Sequence, residues 1–240
     1  MPRAVLCLPT YNERENIEAM IDALGDVLDT AQDLVLVIDD GSPDGTGEMA
    51  DRLAAEHSWV SVLHRAEKEG IGPAYIAGFR WALAEGAELV LEMDCDFSHN
   101  PKDVPRLIAA TDGADLVLGS RYAPGGGTAN WGLLRRFVSR GGCLYAQTFL
   151  GLRVRDLTGG FKCFRRAALE AIDLGALSAH GYAFQIETTY RVCRAGLRVR
   201  EVPITFVERR AGSSKMTGSI VTEAMWKVPL LRLRALTGKL

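Results

Sequence analysis

Residues Glu88 to Pro101 read ELVLEMDCDFSHNP, and the reading of this stretch decides the fold. Leu89, Val90 and Leu91 make a short apolar run, punctuated by Gly86 on one side and Pro101 on the other. That pattern predicts a buried parallel strand that delivers the next residues to the carboxyl edge of a sheet. Those residues are Asp94-Cys95-Asp96, then Ser98, His99 and Asn100. Two carboxylates this close at the end of a buried strand repel one another unless a cation sits between them. A hard divalent ion, Mg²⁺ or Mn²⁺, meets that need, with oxygen ligands and phosphates completing its shell. An isolated D-x-D also reads as a solvated acidic turn, so the surrounding chain has to decide.

Outward from this strand the same logic repeats. Ala4 to Leu8 reads as a first strand, and Pro9-Thr10-Tyr11-Asn12-Glu13 turns into a helix, with Thr10 and Glu13 spaced as a capping box. Ile17, Met20, Ile21, Leu24, Val27 and Leu28 give that helix its buried face. Leu34 to Ile38 is a second strand, ending in Asp39-Asp40-Gly41-Ser42-Pro43-Asp44-Gly45-Thr46. Acidic residues at such an edge suit ribose hydroxyls or a base edge, although Asp44 and Thr46 also read as a simple helix cap. Val60 to His64 and Leu116 to Leu118 are further strands, and helices fall near Gly70 to Leu83 and Val104 to Ala110. The alternation predicts an α/β fold with a doubly wound, mostly parallel central sheet and helices on both faces.

Beyond Gly119-Ser120-Arg121-Tyr122, Gly125-Gly126-Gly127 marks a mobile loop. A helix over Trp131 to Leu150 carries Arg135, Arg136 and Arg140, and a polar turn at Asp156 to Lys162 enters a strand. Tyr182 to Ala195 reads as helical, and Arg198 to Val207 as extended, divided by Pro203.

The 240 residues suffice for one large α/β core. The formal charge of −2 hides an asymmetry: residues 1–120 hold 8 Lys/Arg against 23 Asp/Glu, residues 121–240 hold 20 against 7. An acidic half that holds a cation and a basic half that faces phosphates or an anionic surface fits this split. Five cysteines without a C-x-x-C pair point to a reducing compartment and away from structural zinc. No G-x-G-x-x-G comes after either early strand, the four histidines show no metal-ligand spacing, and serine-hydrolase and zincin motifs are absent.

Taken together, PTYNE, DDGSPDGT, MDCDFSH, GSRY, DLTGGF and ERRAGSSK resemble the family 2 glycosyltransferases of the GT-A fold, and more narrowly the dolichyl- or polyprenyl-phosphate mannose synthases. The match runs in order from Pro9 to Lys215. It implies transfer of mannose from GDP-mannose to a polyprenyl monophosphate, with inversion and a divalent metal. On that resemblance Pro9, Tyr11, Glu13, Ile38 and Asp40 line the nucleotide site. Asp94 and Asp96 hold the metal and diphosphate with Ser98, and Cys95 contributes backbone. Arg121 and Arg135 meet the lipid phosphate, while Gln185, Arg209 and Lys215 close over the donor. Cys95 stands where Ala is common and Pro73 where a small hydroxyl residue is common; neither removes a group the chemistry needs.

A UDP-glucose-dependent glucosyltransferase shares this scaffold and is the nearest alternative. A non-catalytic nucleotide-sugar sensor has to explain the intact acidic and basic residues. A nucleic-acid module predicts exposed aromatics interleaved with basic residues, which the loop-edge arginines do not show. No apolar run approaches the roughly 20 residues of a spanning helix. The expected organisation is a catalytic domain at 1–217 and an amphipathic segment at 218–240, broken by Pro229 into two short helices. Its apolar residues with basic companions suit an anionic membrane surface, and equally a terminal helix packed on the sheet; the first predicts a peripheral protein on the cytoplasmic face, helped by a membrane-protein partner.

Overall fold

The computed structural model describes residues 1–177, 181–208 and 218–238. In chain order the elements are β1 (Ala4–Thr10), α1 (Arg14–Gly25), β2 (Asp33–Asp39), α2 (Thr46–Glu56), β3 (Val60–His64), α3 (Ile71–Ala84) and β4 (Leu89–Glu92). Next come α4 (Val104–Ala110), β5 (Leu116–Ser120), β6 (Gly127–Ala129), α5 (Leu133–Leu150), β7 (Lys162–Arg165) and α6 (Arg166–Glu170). The chain ends with α7 (Gly181–Arg194), β8 (Val199–Pro203), β9 (Thr205–Val207) and α8 (Gly218–Leu236).

Among the described residues, seven strands form the central sheet in the order β3-β2-β1-β4-β7-β5-β8. All neighbours run parallel except β7, which lies antiparallel between β4 and β5. A separate two-stranded parallel sheet pairs β6 with β9. Strands buried on both faces explain the near-continuous apolar runs. Period-two alternation sorts them into two cores: Val5, Cys7, Leu36 and Ile38 pack with Tyr75, Phe79 and Phe184, whereas Leu6, Leu8, Val35 and Val37 pack with Ile17, Met20, Ile21, Leu24 and Leu53. The mostly parallel doubly wound sheet is as the sequence predicts.

Three local expectations are corrected. Thr10 does not cap α1: its hydroxyl donates to the Ile38 carbonyl and the Asp39 carboxylate, both at 3.4 Å, and the Glu13 N–H instead donates to Thr46 Oγ1 at 3.0 Å. A partner from the next loop outcompetes the local box. Pro229 does not divide the tail: α8 runs through it, held on the body by the buried Val228 and Leu231 on either side. The glycine run is not a loose loop, because Gly127 begins β6 and a Cβ on Gly126 would lie 2.4 Å from the Ser120 carbonyl oxygen.

Candidate active site

β1 pairs with β2 on one side and β4 on the other, so successive crossovers leave β1 in opposite directions. A crevice opens at such a switch point, outside the carboxyl ends of the strands. The loops after β1, β2, β4 and β5 all reach this edge. Because β7 is antiparallel, the DLTGGF turn that precedes it arrives there too.

The loops after β1 and β2 are stitched together. Asn12, turned by a positive φ of 56°, donates its N–H to Ser42 Oγ at 3.0 Å. The Glu13 carboxylate accepts from Asn16 Nδ2 at 2.8 Å, and the Lys68 ammonium lies 3.8 Å from the Tyr11 ring centre. Asp40 is paired with Arg65 and accepts from the Gly70 N–H at 3.1 Å, tying the second loop to the start of α3. Pro9 is half-buried at the end of β1, opposite Ile38. The Ile38 side chain is in the core facing Gly78, where a Cβ would come within 2.5 Å of it, so it does not line the crevice.

After β4 the chain folds into a tight turn. Phe97 takes a positive φ of 60°, and the Ser98 N–H donates to Asp96 Oδ1 at 3.0 Å. Asp96 and Cys95 are buried, whereas Asp94 keeps about a third of its side chain exposed. The Asp94 N–H donates to His99 Nδ1 at 3.3 Å, which makes that nitrogen an acceptor and the ring neutral. Burial, reinforced by Arg121 and opposed by Asp96, pushes the His99 pKa down to about 4. Its ring stacks on Phe161 at 4.9 Å and meets Phe206 edge-on at 5.2 Å, and Phe206 in turn meets Trp131 at 5.3 Å.

Two carboxylates and a hydroxyl form an all-oxygen donor set, and Ser98 Oγ is buried with no hydrogen-bond partner among the described residues. An orphaned oxygen beside two acids fits a hard divalent cation. Among the described residues no group of three or more His, Cys, Asp or Glu makes a closed metal cage. Such an ion would therefore take further oxygens from a ligand, as suits a diphosphate. Gln185, on α7, reaches the same place: a Cβ on Gly160 would lie 3.3 Å from Gln185 Nε2 and 4.0 Å from Asp94 Oδ1.

The basic side is ordered by one buried pair. Arg121 donates from Nε to Asp156 Oδ2 at 2.7 Å and from Nη2 to Asp156 Oδ1 at 2.6 Å, and Nη2 also bonds Thr158 Oγ1 at 2.7 Å. Burial alone would raise the Asp156 carboxyl, yet the Arg121 charge holds it below the ordinary range. Arg121 therefore meets the site with part of its fork already committed. Its guanidinium borders a cavity of about 450 Å³ lined also by Tyr122, Gly127, Thr128, Arg136 and Arg140. Arg135 is not in that lining: it lies 4.2 Å over the Trp131 ring and donates to Glu208 at 2.9 Å. Arg209 and Lys215 lie outside the described residues.

Glu92 and Lys162 are functional candidates that the sequence alone does not single out. Both are fully buried and stand opposite one another in the β4–β7 register. Lys162 Nζ donates to the Gln185 carbonyl at 2.8 Å and to Thr188 Oγ1 at 3.0 Å. Burial pushes the Glu92 carboxyl up to about 7, against the pull of Lys162 and the Gln185 amide. Burial likewise lowers the Lys162 ammonium to about 8, with Glu92 opposing. The one signal for them is a single charge inside each apolar run, LVLEM and FKCF.

Residues 5–173 match the profile of glycosyl transferase family 2. Among curated proteins the chain is 50% identical to the undecaprenyl-phosphate mannosyltransferase of Micrococcus luteus over 226 residues, covering 94% of this chain and 92% of that one. It is 47% identical to the polyprenol monophosphomannose synthase of Mycolicibacterium smegmatis over 228 residues, covering 94% and 85%. Among solved structures it is similar in fold to glucosyl-3-phosphoglycerate synthase from Mycobacterium tuberculosis in complex with Mn²⁺, UDP and glucosyl-3-phosphoglycerate. The TM-score is 0.67 at 22% identity, covering 99% of this chain and 80% of that one. This likeness establishes the GT-A fold.

Proposed function

The chain belongs to glycosyl transferase family 2, and from that premise we propose that it transfers mannose from GDP-mannose to a polyprenyl monophosphate, inverting the anomeric carbon. The near-full-length match to two relatives named for mannosyl transfer to polyprenyl phosphates carries this reading. It is an enzyme of the polyprenol-phosphate mannose synthase type.

In the proposed mechanism the stitched loops carrying Pro9, Tyr11, Glu13 and Asp40 hold the nucleotide at the switch-point crevice. Asp94, Asp96 and Ser98 would hold Mg²⁺ or Mn²⁺ together with the diphosphate, and the Cys95 backbone shapes the turn. When bound, such an ion supplies positive charge against the departing nucleoside diphosphate. Gln185 beside Asp94 orients the sugar end of the donor. Arg209 and Lys215 close over it, adding charge on its other side.

The attacking group is an oxygen of the acceptor's phosphate. Its bond to the anomeric carbon forms as the bond from that carbon to the diphosphate oxygen breaks. A phosphate monoester is already anionic near neutral pH and needs no general base, which accords with a buried, neutral His99. What the acceptor needs is orientation. Arg121, fixed by Asp156, supplies it together with Arg135, and Arg136 and Arg140 extend the positive lining outward.

Residues 1–217 form the catalytic unit in this reading, and 218–240 a membrane-facing segment of a peripheral protein on the cytoplasmic face, helped by a membrane-protein partner. Among the described residues no helix is long and apolar enough to cross a membrane. Incubation with labelled GDP-mannose, Mg²⁺ or Mn²⁺ and a short polyprenyl phosphate in detergent, then lipid extraction, tests the reaction. Label in the lipid phase is expected. Label only from UDP-glucose in a parallel reaction would replace the donor, and none from either would remove the reading.

A further inference from the structure

His99 is fully buried between the acidic turn and the basic side of the site. Its Nδ1 accepts the Asp94 N–H at 3.3 Å, so one ring nitrogen holds the backbone of the first acid of the turn. Asp96 is fixed differently, being buried and accepting from the Ser98 N–H within the turn itself. The Asp94 side chain is about a third exposed, and its direction depends on how its backbone is held.

The same imidazole packs against the elements that order the arginines. It stacks on Phe161, which follows the turn whose Asp156 and Thr158 hold Arg121, at a centroid distance of 4.9 Å. It also meets Phe206 of β9 edge-on at 5.2 Å. Phe206 lies 5.6 Å from the Arg121 guanidinium and touches Trp131, whose ring lies 4.2 Å beneath Arg135. Val207, the next residue of β9, donates its N–H to the Ser98 carbonyl at 3.1 Å, so this strand rests on the acidic turn. An all-carbon ring here would keep the packing and lose the acceptor for the Asp94 N–H. A small amide would keep an acceptor and lose the ring. Imidazole supplies both.

We propose that His99 is a positioning residue with two separable tasks: its Nδ1 sets the Asp94 backbone, and its ring sets Phe206 and Trp131 beneath the acceptor-side arginines. The inference rests on the proposed function, in which Asp94 serves the cation and Arg121 and Arg135 serve the acceptor phosphate. Donor and acceptor halves would then be held in register through one side chain that touches neither substrate.

Two substitutions divide the tasks. His99→Phe keeps a ring without the acceptor, and His99→Asn keeps an acceptor oxygen as far from the backbone as Nδ1, without the ring. Calorimetric titration with Mn²⁺ and GDP, and with UDP in parallel, reads the first task. The acceptor KM for a short polyprenyl phosphate reads the second. His99→Phe should weaken Mn²⁺-dependent nucleotide binding by about tenfold, as suits one lost hydrogen bond, and spare the acceptor KM. His99→Asn should do the reverse. Phe206→Leu leaves His99 in place and should raise the acceptor KM alone, so it tests the second task even where a His99 variant does not fold. Equal losses in both readouts for both His99 variants would mean that the ring only fills space, and would overturn the proposal. So would wild-type Mn²⁺-dependent binding by His99→Phe, or a wild-type acceptor KM in Phe206→Leu. A protein that labels no lipid from either nucleotide sugar refutes the proposed reaction. The calorimetric contrast between His99→Phe and His99→Asn then upholds or overturns the positioning of Asp94 by itself.

Discussion

Glu92 and Lys162 face one another across β4 and β7, fully buried, directly beneath the turn that carries Asp94 and Asp96. Lys162 also holds α7 through the Gln185 carbonyl. Lys162 thus ties β7 to the helix that brings Gln185 to the acidic turn. Lys162→Met removes both hydrogen bonds from Nζ to α7 and is expected to cost about 1.5–3 kcal/mol of stability. Urea denaturation measures this. A loss below about 0.5 kcal/mol would mean that Lys162 does not hold α7.

The same carboxyl gives a pH dependence with a defined sign. The folded protein keeps the Glu92 proton up to about 7, whereas the ordinary value is 4.5. Across that window the folded state binds more protons than the unfolded one, so this group makes stability fall as pH rises. Glu92→Gln has no such proton. Its stability relative to wild type should therefore climb between those two pH values, by up to about 3 kcal/mol. A flat difference in parallel denaturant titrations would contradict the shift.

Asp96→Ala should abolish transfer and Asp94→Ala should be nearly as severe, with far-ultraviolet circular dichroism unchanged. Retention of more than about a tenth of the activity, roughly 1.4 kcal/mol of barrier, is too mild for residues that hold the cation. Calorimetric titration with Mn²⁺ and GDP gives a second readout, in which both variants should lose the metal-dependent part of nucleotide binding.

Arg121 and Arg135 should separate in their effects. Arg135 is half-buried against Trp131 and pairs with the half-exposed Glu208, so Arg135→Ala should raise the acceptor KM with little change in melting temperature. Arg121→Ala strands a buried Asp156 and should cost stability as well as activity, about 3–5 kcal/mol. Steady-state kinetics with thermal melts on both variants decides. A higher donor KM for Arg135→Ala with an unchanged acceptor KM would refute the assignment.

Gly126→Ala brings a methyl against the Ser120 carbonyl and the Arg121 backbone. Backbone cannot yield as a side chain can, so a loss of about 1–3 kcal/mol is expected. A melting temperature equal to wild type would show that this loop shifts freely.

β1, β2, β4 and β5 were legible because each carries an apolar run that ends in polar punctuation, as in Leu34 to Ile38 and Leu89 to Leu91. The antiparallel direction of β7 was not, since FKCF carries no mark of which way it enters a sheet. At the site, Asp94, Asp96 and Arg121 lie at one edge because their motifs follow strand ends there, and α7 brings Gln185 to the same edge. What stayed hidden were relations between distant segments: the Arg121–Asp156 pair, the bonds that Lys162 makes to α7, and the Thr46 hydroxyl that displaces the local cap of α1. A sequence shows that a charge is present; which partner claims it depends on three-dimensional register.

The bidentate grip of Arg121 on Asp156 joins residues 35 positions apart and closes the excursion that contains β6 and α5 at its neck. Cys143, on the inner face of α5, rests on that neck, with its sulfur 3.4 Å from Thr158 Oγ1. Chain length within such a pinched segment costs little to vary, because closing a longer loop adds only about 0.6 kcal/mol per doubling. The segment therefore behaves as an outrigger whose span can be retuned without redrawing the hull. Lengthening this segment would change how far it stands out from the sheet, while the acidic turn, two strands away, keeps its shape.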